Sequence, residues 1–234
     1  MAVLVFCENN RLHLTTLSVS FVKSVKSALG LLLASAAIAS ADCEPSSVKF
    51  CQGTAQTQNL SSTYVCGDYR LGPVQLPSHP PSDSLLEVYD RFGGLCPGQF
   101  LATYYDSTAK SWKYPDFEGF QLDTAGETIS AEMTLQVGLL IDRSGSEYGS
   151  YASPASAPYM QRALPPSNLD TPASNPVFPY NYHVYRVIQS FEVEAGPIAP
   201  WFGQPGQGVQ YKLNGTILSL INDGFVERVN ITLG

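Results

Sequence analysis

The sequence predicts an α+β, β-rich fold, an antiparallel-sheet domain carrying a disulfide-stapled N-terminal lobe. Three observations predict it. Cys43, Cys51, Cys66 and Cys96 form an even set in a chain with secretory features. Helical spacing of apolar residues occurs in one short run, and the second half is rich in β-branched and aromatic stretches separated by glycine and proline.

Taken in order, residues 1–41 read as a signal peptide. Lys23 and Lys26 precede the apolar run Ala28–Ala39, and Ala39-Ser40-Ala41 has the small-x-small form that signal peptidase cleaves. The run is about a dozen residues, shorter than the roughly 20 a membrane-spanning helix needs, so no membrane span is expected and the protein is read as secreted or cell-surface. Residues 42–125 form the cysteine-containing lobe, and the four cysteines allow three pairings that spacing does not distinguish. Metal ligation by these cysteines is disfavoured because no pair has C-x-x-C spacing. Ser84-Leu85-Leu86-Glu87 has capping-box form, and Leu85, Leu86, Tyr89 and Phe92 predict one helix ended by Gly93-Gly94.

Residues 126–234 should hold the sheet. Strands are predicted over Thr134–Ile141, Tyr182–Val193, Gly208–Leu213 and Phe225–Leu233, with Asn214-Gly215 turning a hairpin into Thr216–Leu218. Between Ser150 and Pro179 seven prolines predict a meandering loop without long regular elements. Long loops of this kind are usually functional or disordered, and Arg162 with its flanking aromatics favours function.

Composition excludes several activities. Losing Arg11, Lys23, Lys26 and Glu8 from 13 cations and 20 anions leaves 10 and 19, net −9, the opposite of a nucleic-acid binder. The mature chain has only His79, in a proline-rich link and read as a solvated loop residue, and His183. It contains no G-x-S-x-G, H-E-x-x-H, Walker-type or dinucleotide-type glycine motif. Ser107-Thr108-Ala109-Lys110 matches S-x-x-K without its partner motifs. Asp116, Glu118 and Asp123 could supply paired carboxylates for glycoside hydrolysis, but solvated loop acids are the simpler reading. Asn59, Asn214 and Asn230 open N-glycosylation sequons and should lie on the surface.

Two segments concentrate chemistry. Arg143 stands where an apolar strand meets a tight turn, and Arg162 lies in the proline loop; two guanidinium forks suit a pyrophosphate. The structural alternative pairs Arg143 with Asp142 or Glu147 and has Arg162 capping loop carbonyls. Gln204 to Gln210, between Phe202 and Tyr211, combines glycines that permit close backbone approach with amides that donate and accept, although a tight turn explains those glycines equally well.

The successive blocks IDRSGSEYGSY, PYMQRALPP, YHVYRV and GPIAPWFGQPGQGVQY, together with YPDFEGF upstream, resemble the tuberculosis necrotizing toxin (TNT) domain family. Within it the likeness is strongest to secreted fungal surface NAD glycohydrolases. The resemblance implies a small TNT-type catalytic domain that hydrolyses NAD, and NADP if it is also accepted, to nicotinamide and the ADP-ribose product. It implies catalytic roles for Arg143, Tyr151, Arg162 and Gln210, with Gln207 the alternative glutamine. His183 is the match for a histidine of the bacterial branch, and Phe202 and Gln207 fall in the substrate-binding blocks. NAD is then a substrate and no cofactor is needed. Some fungal relatives extend into an acidic calcium-binding segment, but Asn222-Asp223-Gly224 lacks that ligand count, so no calcium site is expected. The relatives also imply a homodimer. Two other readings stay open: a catalytically silent surface or binding protein on the same fold, and a toxin with the same chemistry aimed at competing cells.

Overall fold

The computed structural model describes residues 43–78, 82–174 and 176–230, together with two short strands, β1 (Phe6–Glu8) and β2 (Arg11–His13). The chain divides into two compact units, Met1–Ala41 and Asp42–Gly234. In the first, β1 and β2 pair antiparallel. The signal peptide expected over 1–41 otherwise lies outside the described residues, as does His79. Among the described residues no helix is long and apolar enough to cross a membrane.

In the second unit the cysteine lobe closes with two disulfides, Cys43–Cys96 and Cys51–Cys66. The predicted helix is a single turn, α1 (Ser82–Leu85), before the backbone passes through turns to Gly93. Leu85, Leu86 and Phe92 are buried as their spacing implied, but Leu86 and Phe92 join separate clusters, Leu86 against Tyr159 and Phe92 against Phe100, so no single helix face can serve both. The longer helix is α2 (Pro97–Tyr104), which has proline in its first turn and a backbone N–H of Cys96 donating to the Gln99 side chain at 3.2 Å. A two-residue ladder, β3 (Tyr105–Asp106) with β4 (Ser111–Trp112), comes next.

The architecture of the C-terminal half is one seven-stranded antiparallel sheet. Its strands are β5 (Ala131–Leu135), β6 (Leu140–Ser144), β7 (Tyr151–Pro154), β8 (Tyr182–Val187), β9 (Phe191–Pro197), β10 (Val209–Lys212) and β11 (Val226–Val229), in the order β11-β8-β6-β7-β10-β9-β5. Two of the strands expected from the sequence are split. Thr134–Ile141 breaks at Gly138 into β5 and β6, which lie far apart in the sheet. Tyr182–Val193 breaks at residues 188–190 into β8 and β9, which are likewise not neighbours. Apolar runs alone hid these turns, because both halves of each run bury residues in the same core: Leu135, Ile141, Tyr185, Val187 and Val193.

Two further expectations are corrected. The loop expected over residues 150–179 contains β7, a strand near the centre of the sheet. Pro154 closes it, pairing with Ile141 where the ladder ends. Asn214-Gly215 turns into a helix, α3 (Ile217–Asn222), rather than a hairpin. The Thr216 hydroxyl accepts from the Ser219 N–H at 3.1 Å, and fully buried Ile217 anchors the helix against the sheet. The final strand is shorter than expected, and residues 231–234 lie outside the described residues.

The N-terminal lobe and the sheet share a joint. Phe202, fully buried, projects from the β9–β10 connection into the aromatic core of the lobe, with ring centroids 5.5 Å from Trp112 and 5.3 Å from Tyr104. The Trp201 indole donates to the Lys113 carbonyl at 2.6 Å, and the buried Gln204 amide donates to the Asp90 carbonyl. Gly93 and Gly203 meet backbone to backbone at positive φ; a Cβ on Gly93 would stand 2.3 Å from the Gly203 carbonyl oxygen.

Candidate active site

The joint leaves a cleft of about 520 Å³ between the turn at residues 114–119 and the mouth of the sheet. Arg143 from the end of β6, Tyr151 from the start of β7 and Gln210 from β10 line it. On the far side Arg162, Leu164 and Asn168 come from the proline loop, where short 3-10 turns at Tyr159–Arg162 and Pro166–Leu169 replace regular structure. Sequence neighbours could not reveal this. Arg143 and Arg162 converge because β6 pairs with β7, and the loop leaving β7 folds back across the sheet.

The two arginines have different surroundings. Arg162 is buried; its Nη1 and Nη2 donate to the two carboxylate oxygens of Asp142, and Nε and Nη2 both donate to the Ala157 carbonyl, at 3.1 and 2.8 Å. Burial opposes its charge most strongly, yet attraction and hydrogen bonds from Asp142 leave its hold on the proton raised. The expected free phosphate fork is therefore a committed one: four of its five N–H donors are taken within the protein. The structural alternative holds for Arg162, which caps the Ala157 carbonyl, and fails for Arg143, because Asp142 pairs with Arg162 and Glu147 with Arg228.

Arg143 has no carboxylate partner among the described residues. Nε donates to the Ser146 carbonyl and Nη1 to the Tyr151 carbonyl, each at 2.7 Å, which aims the guanidinium while leaving three N–H donors unused. Burial lowers its pKa, but an arginine stays charged at neutral pH. The turn that holds it is anchored from outside: Glu147 accepts from Arg228 Nε and Nη2 at 2.7 and 2.6 Å, and the N–H groups of Ile217 and Leu218, at the start of α3, donate to the carbonyls of Gly149 and Glu147.

Gln210 and Gln207 separate clearly. The Gln210 amide lines the cleft and donates to the Glu118 carbonyl at 2.9 Å, whereas Gln207 donates to Gln121 at 2.7 Å and does not line it. Phe202 belongs to the lobe core instead of the site. His183, opposite Arg143 on β8, is buried between Phe178 and Tyr185 and is not part of the cleft wall. Burial, the largest influence, lowers its pKa, so the imidazole is neutral at pH 7. The glycines at 203, 206 and 208 approach protein backbone rather than open space, which is the tight-turn alternative.

Sequence reasoning set aside the turn at residues 114–119 as a source of site residues. It contributes exposed Tyr114 and Phe117 and the carboxylates of Asp116 and Glu118 to the cleft. The Tyr151 hydroxyl donates to Glu118 in a short hydrogen bond, and Lys212 Nζ lies 3.6 Å from the same carboxylate. Burial, together with the Glu118 bond, pushes the Tyr151 phenol up to about 12, and the Tyr151 bond followed by Lys212 holds Glu118 below the usual carboxylate range. The useful signal was the density of aromatic and acidic residues in YPDFEGF. Among the described residues no group of three His, Cys, Asp or Glu side chains is arranged to hold a metal ion.

A β-rich domain with a cationic, aromatic and amide-lined cleft at the edge of a disulfide-closed lobe is the class of protein that the fold and site define. Residues 134–229 match the family model described as tuberculosis necrotizing toxin. The chain is 49% identical over 172 residues, 73% of its own length and 73% of the relative's, to the conidial surface nicotinamide adenine dinucleotide glycohydrolase nadA of Aspergillus fumigatus. The chain belongs to this TNT family. Solved structures with weaker likeness include the tuberculosis necrotizing toxin complexed with its immunity factor IFT, at 17% identity and TM-score 0.47 over 68% of this chain and 93% of that one. Tse6 in complex with Tsi6 gives 22% identity and TM-score 0.31 over 44% and 72%.

Proposed function

We propose that this protein is a NAD glycohydrolase that cleaves the nicotinamide–ribose bond of NAD to nicotinamide and ADP-ribose. The observation that carries the reading is the convergence of Arg143, Tyr151, Arg162 and Gln210 on one cleft, in a chain 49% identical to a fungal NAD glycohydrolase over most of its length. Nicotinamide leaves NAD as a neutral molecule, so no acid need protonate it. The barrier lies in forming a cationic ribosyl centre and delivering water to it. A site built to hold the dinucleotide still and stabilise that centre therefore suffices, without a cofactor.

In this reading Arg143 grips the pyrophosphate, and Arg162 shapes the wall beside it with at most one N–H for the ligand. Tyr151 stands beside the nicotinamide end, and Gln210 hydrogen-bonds the reacting ribose. The two disulfides and the conidial-surface relative support a secreted or cell-surface location. Cleavage after Ala41, glycosylation at the exposed Asn59, Asn214 and Asn230, acceptance of NADP and homodimer assembly belong to the same proposal.

Incubating the purified protein with NAD and measuring nicotinamide and ADP-ribose tests it. Equal release of both is expected; no release from folded, disulfide-bonded protein would leave the binding-protein reading instead. Gln210→Ala should lower kcat about 100-fold without loss of fold, the effect of removing one well-placed donor, and Gln207→Ala should remain active. Full activity in Gln210→Ala would remove that residue from the mechanism.

A further inference from the structure

Resting on the hydrolase reading, we propose that Glu118 is a catalytic residue of this site, the carboxylate that faces the reacting ribose and accepts the proton of the attacking water. Three observations outside the recognised set of site residues lead there.

The first is location. Glu118 joins the two groups placed nearest the reaction: its side chain accepts from the Tyr151 hydroxyl, and its carbonyl accepts from the Gln210 amide at 2.9 Å. One residue of the N-terminal lobe thus ties together side chains from β7 and β10.

The second is backbone strain. Phe117 and Glu118 both adopt left-handed conformations, at φ +55° and +58°, directly before Gly119 at +79°. A non-glycine residue is disfavoured there because its Cβ crowds the following carbonyl oxygen. A turn needing only that shape would be served better by glycine at either position. In this turn both residues present their side chains to the cleft.

The third is the state of the other carboxylates around the site. Asp142 is saturated by Arg162, Tyr182 and the Ser156 N–H, and Glu147 by Arg228 and Tyr185. Neither lines the 520 Å³ cleft. Asp116 and Glu118 do, and Glu118 is the one in contact with Tyr151.

The chemistry balances without a further reactant. The bond from ribose C1′ to the pyridinium nitrogen breaks with its electron pair going to nicotinamide. A water oxygen bonds to C1′, and one water proton passes to Glu118 and then to solvent. Before the proton arrives, the carboxylate also opposes the positive charge that develops on the ribose. The titratable groups facing Glu118 are Tyr151 from β7 and Lys212 from β10. Glu194 of β9 shares that lysine at 3.5 Å, and Asp116 lies on the same turn.

Glu118→Gln is the decisive variant, because glutamine preserves an acceptor for the Tyr151 hydroxyl and removes the charge. Kinetics of NAD hydrolysis should show kcat lowered about 100-fold, with KM within about 3-fold of the parent value. The fall of kcat that accompanies protonation of Glu118 at acid pH should vanish in this variant and persist in Tyr151→Phe. A Glu118→Gln protein with parental kcat, or with the acid limb unchanged, would overturn the proposal while leaving the hydrolase reading intact. A parent protein that releases no nicotinamide would overturn both.

Discussion

Asp142→Ala is expected to destabilise the protein by about 3–5 kcal/mol, the cost of leaving a buried charge without its partner. Asp142 is 0% exposed on β6, and it receives the Arg162 guanidinium through both oxygens, the Tyr182 hydroxyl at 2.7 Å and the Ser156 N–H at 3.1 Å. Alanine removes the acceptor for three elements at once: the end of the β7 loop, β8 and the 3-10 turn that carries Arg162. Water cannot readily compensate, because the Arg162 side chain is 3% exposed. For a chain of this size each kcal/mol lowers the midpoint by about 2–4 °C, so a fall of roughly 10 °C should appear in thermal unfolding followed by near-UV circular dichroism. A companion Asp142→Leu/Arg162→Met protein should recover part of the loss, since a packed apolar pair avoids the desolvation that an unpaired guanidinium suffers. A midpoint for Asp142→Ala within about 2 °C of the parent would show that the pair contributes little.

Gly149→Ala is expected to abolish most activity at little cost in stability, which is the opposite signature. A Cβ on Gly149 would stand 1.9 Å from Arg143 Nη2 and 2.1 Å from Cζ. The obstruction is the far end of a flexible side chain, so the guanidinium moves and the backbone stays. Arg143 then loses its bonds to the Ser146 and Tyr151 carbonyls, each worth about 1 kcal/mol or somewhat more because the donor is charged. It also leaves the position that the proposed grip on the pyrophosphate requires. A displaced phosphate clamp should lower kcat/KM on the order of 1000-fold, while the thermal midpoint falls by only a few degrees. Arg143→Ala provides the comparison: the two variants should be similarly inactive. An active Gly149→Ala protein would show that Arg143 does not act from this position.

Much of the site was legible because its residues sit in blocks whose order and composition are distinctive. Arg143, Tyr151 and Arg162 could be named from IDRSGSEYGSY and PYMQRALPP, and the glutamine lining the cleft could be narrowed to Gln207 or Gln210. Side-chain destination was harder to read. Phe202 sits in the same glycine-rich segment as Gln210, yet it fills the core of the N-terminal lobe, because the joint there needs a large apolar plug. Arg162 looked like a ligand for phosphate, but Asp142, one residue before Arg143 on β6, claims it. Glu118 is the solvated acid it looked like, with its side chain 51% exposed, but the lobe also carries it onto Tyr151.

Secondary structure divided along similar lines. β8, β10 and β11 were visible as alternating or β-branched runs. The breaks at Gly138 and at residues 188–190 were not, because a run of apolar residues does not record which strand will be its neighbour. Asn214-Gly215 marks a reversal in either case, and the next element is a helix because Ile217 has a core to enter and Thr216 can cap it.

The sequence by itself determined the β-rich class, the even set of cysteines, the acidic character, and most of the residues that could meet a dinucleotide. These depend on composition, local propensity and short-range spacing, all of which are written along the chain. Only the tertiary structure decided the pairing of the cysteines, the strand order, which arginine remains available and which of the cleft carboxylates meets Tyr151. Those outcomes depend on contacts between residues tens of positions apart, such as Glu118 with Tyr151 and Asp142 with Arg162. Such contacts form only when burial of the shared core brings the segments together.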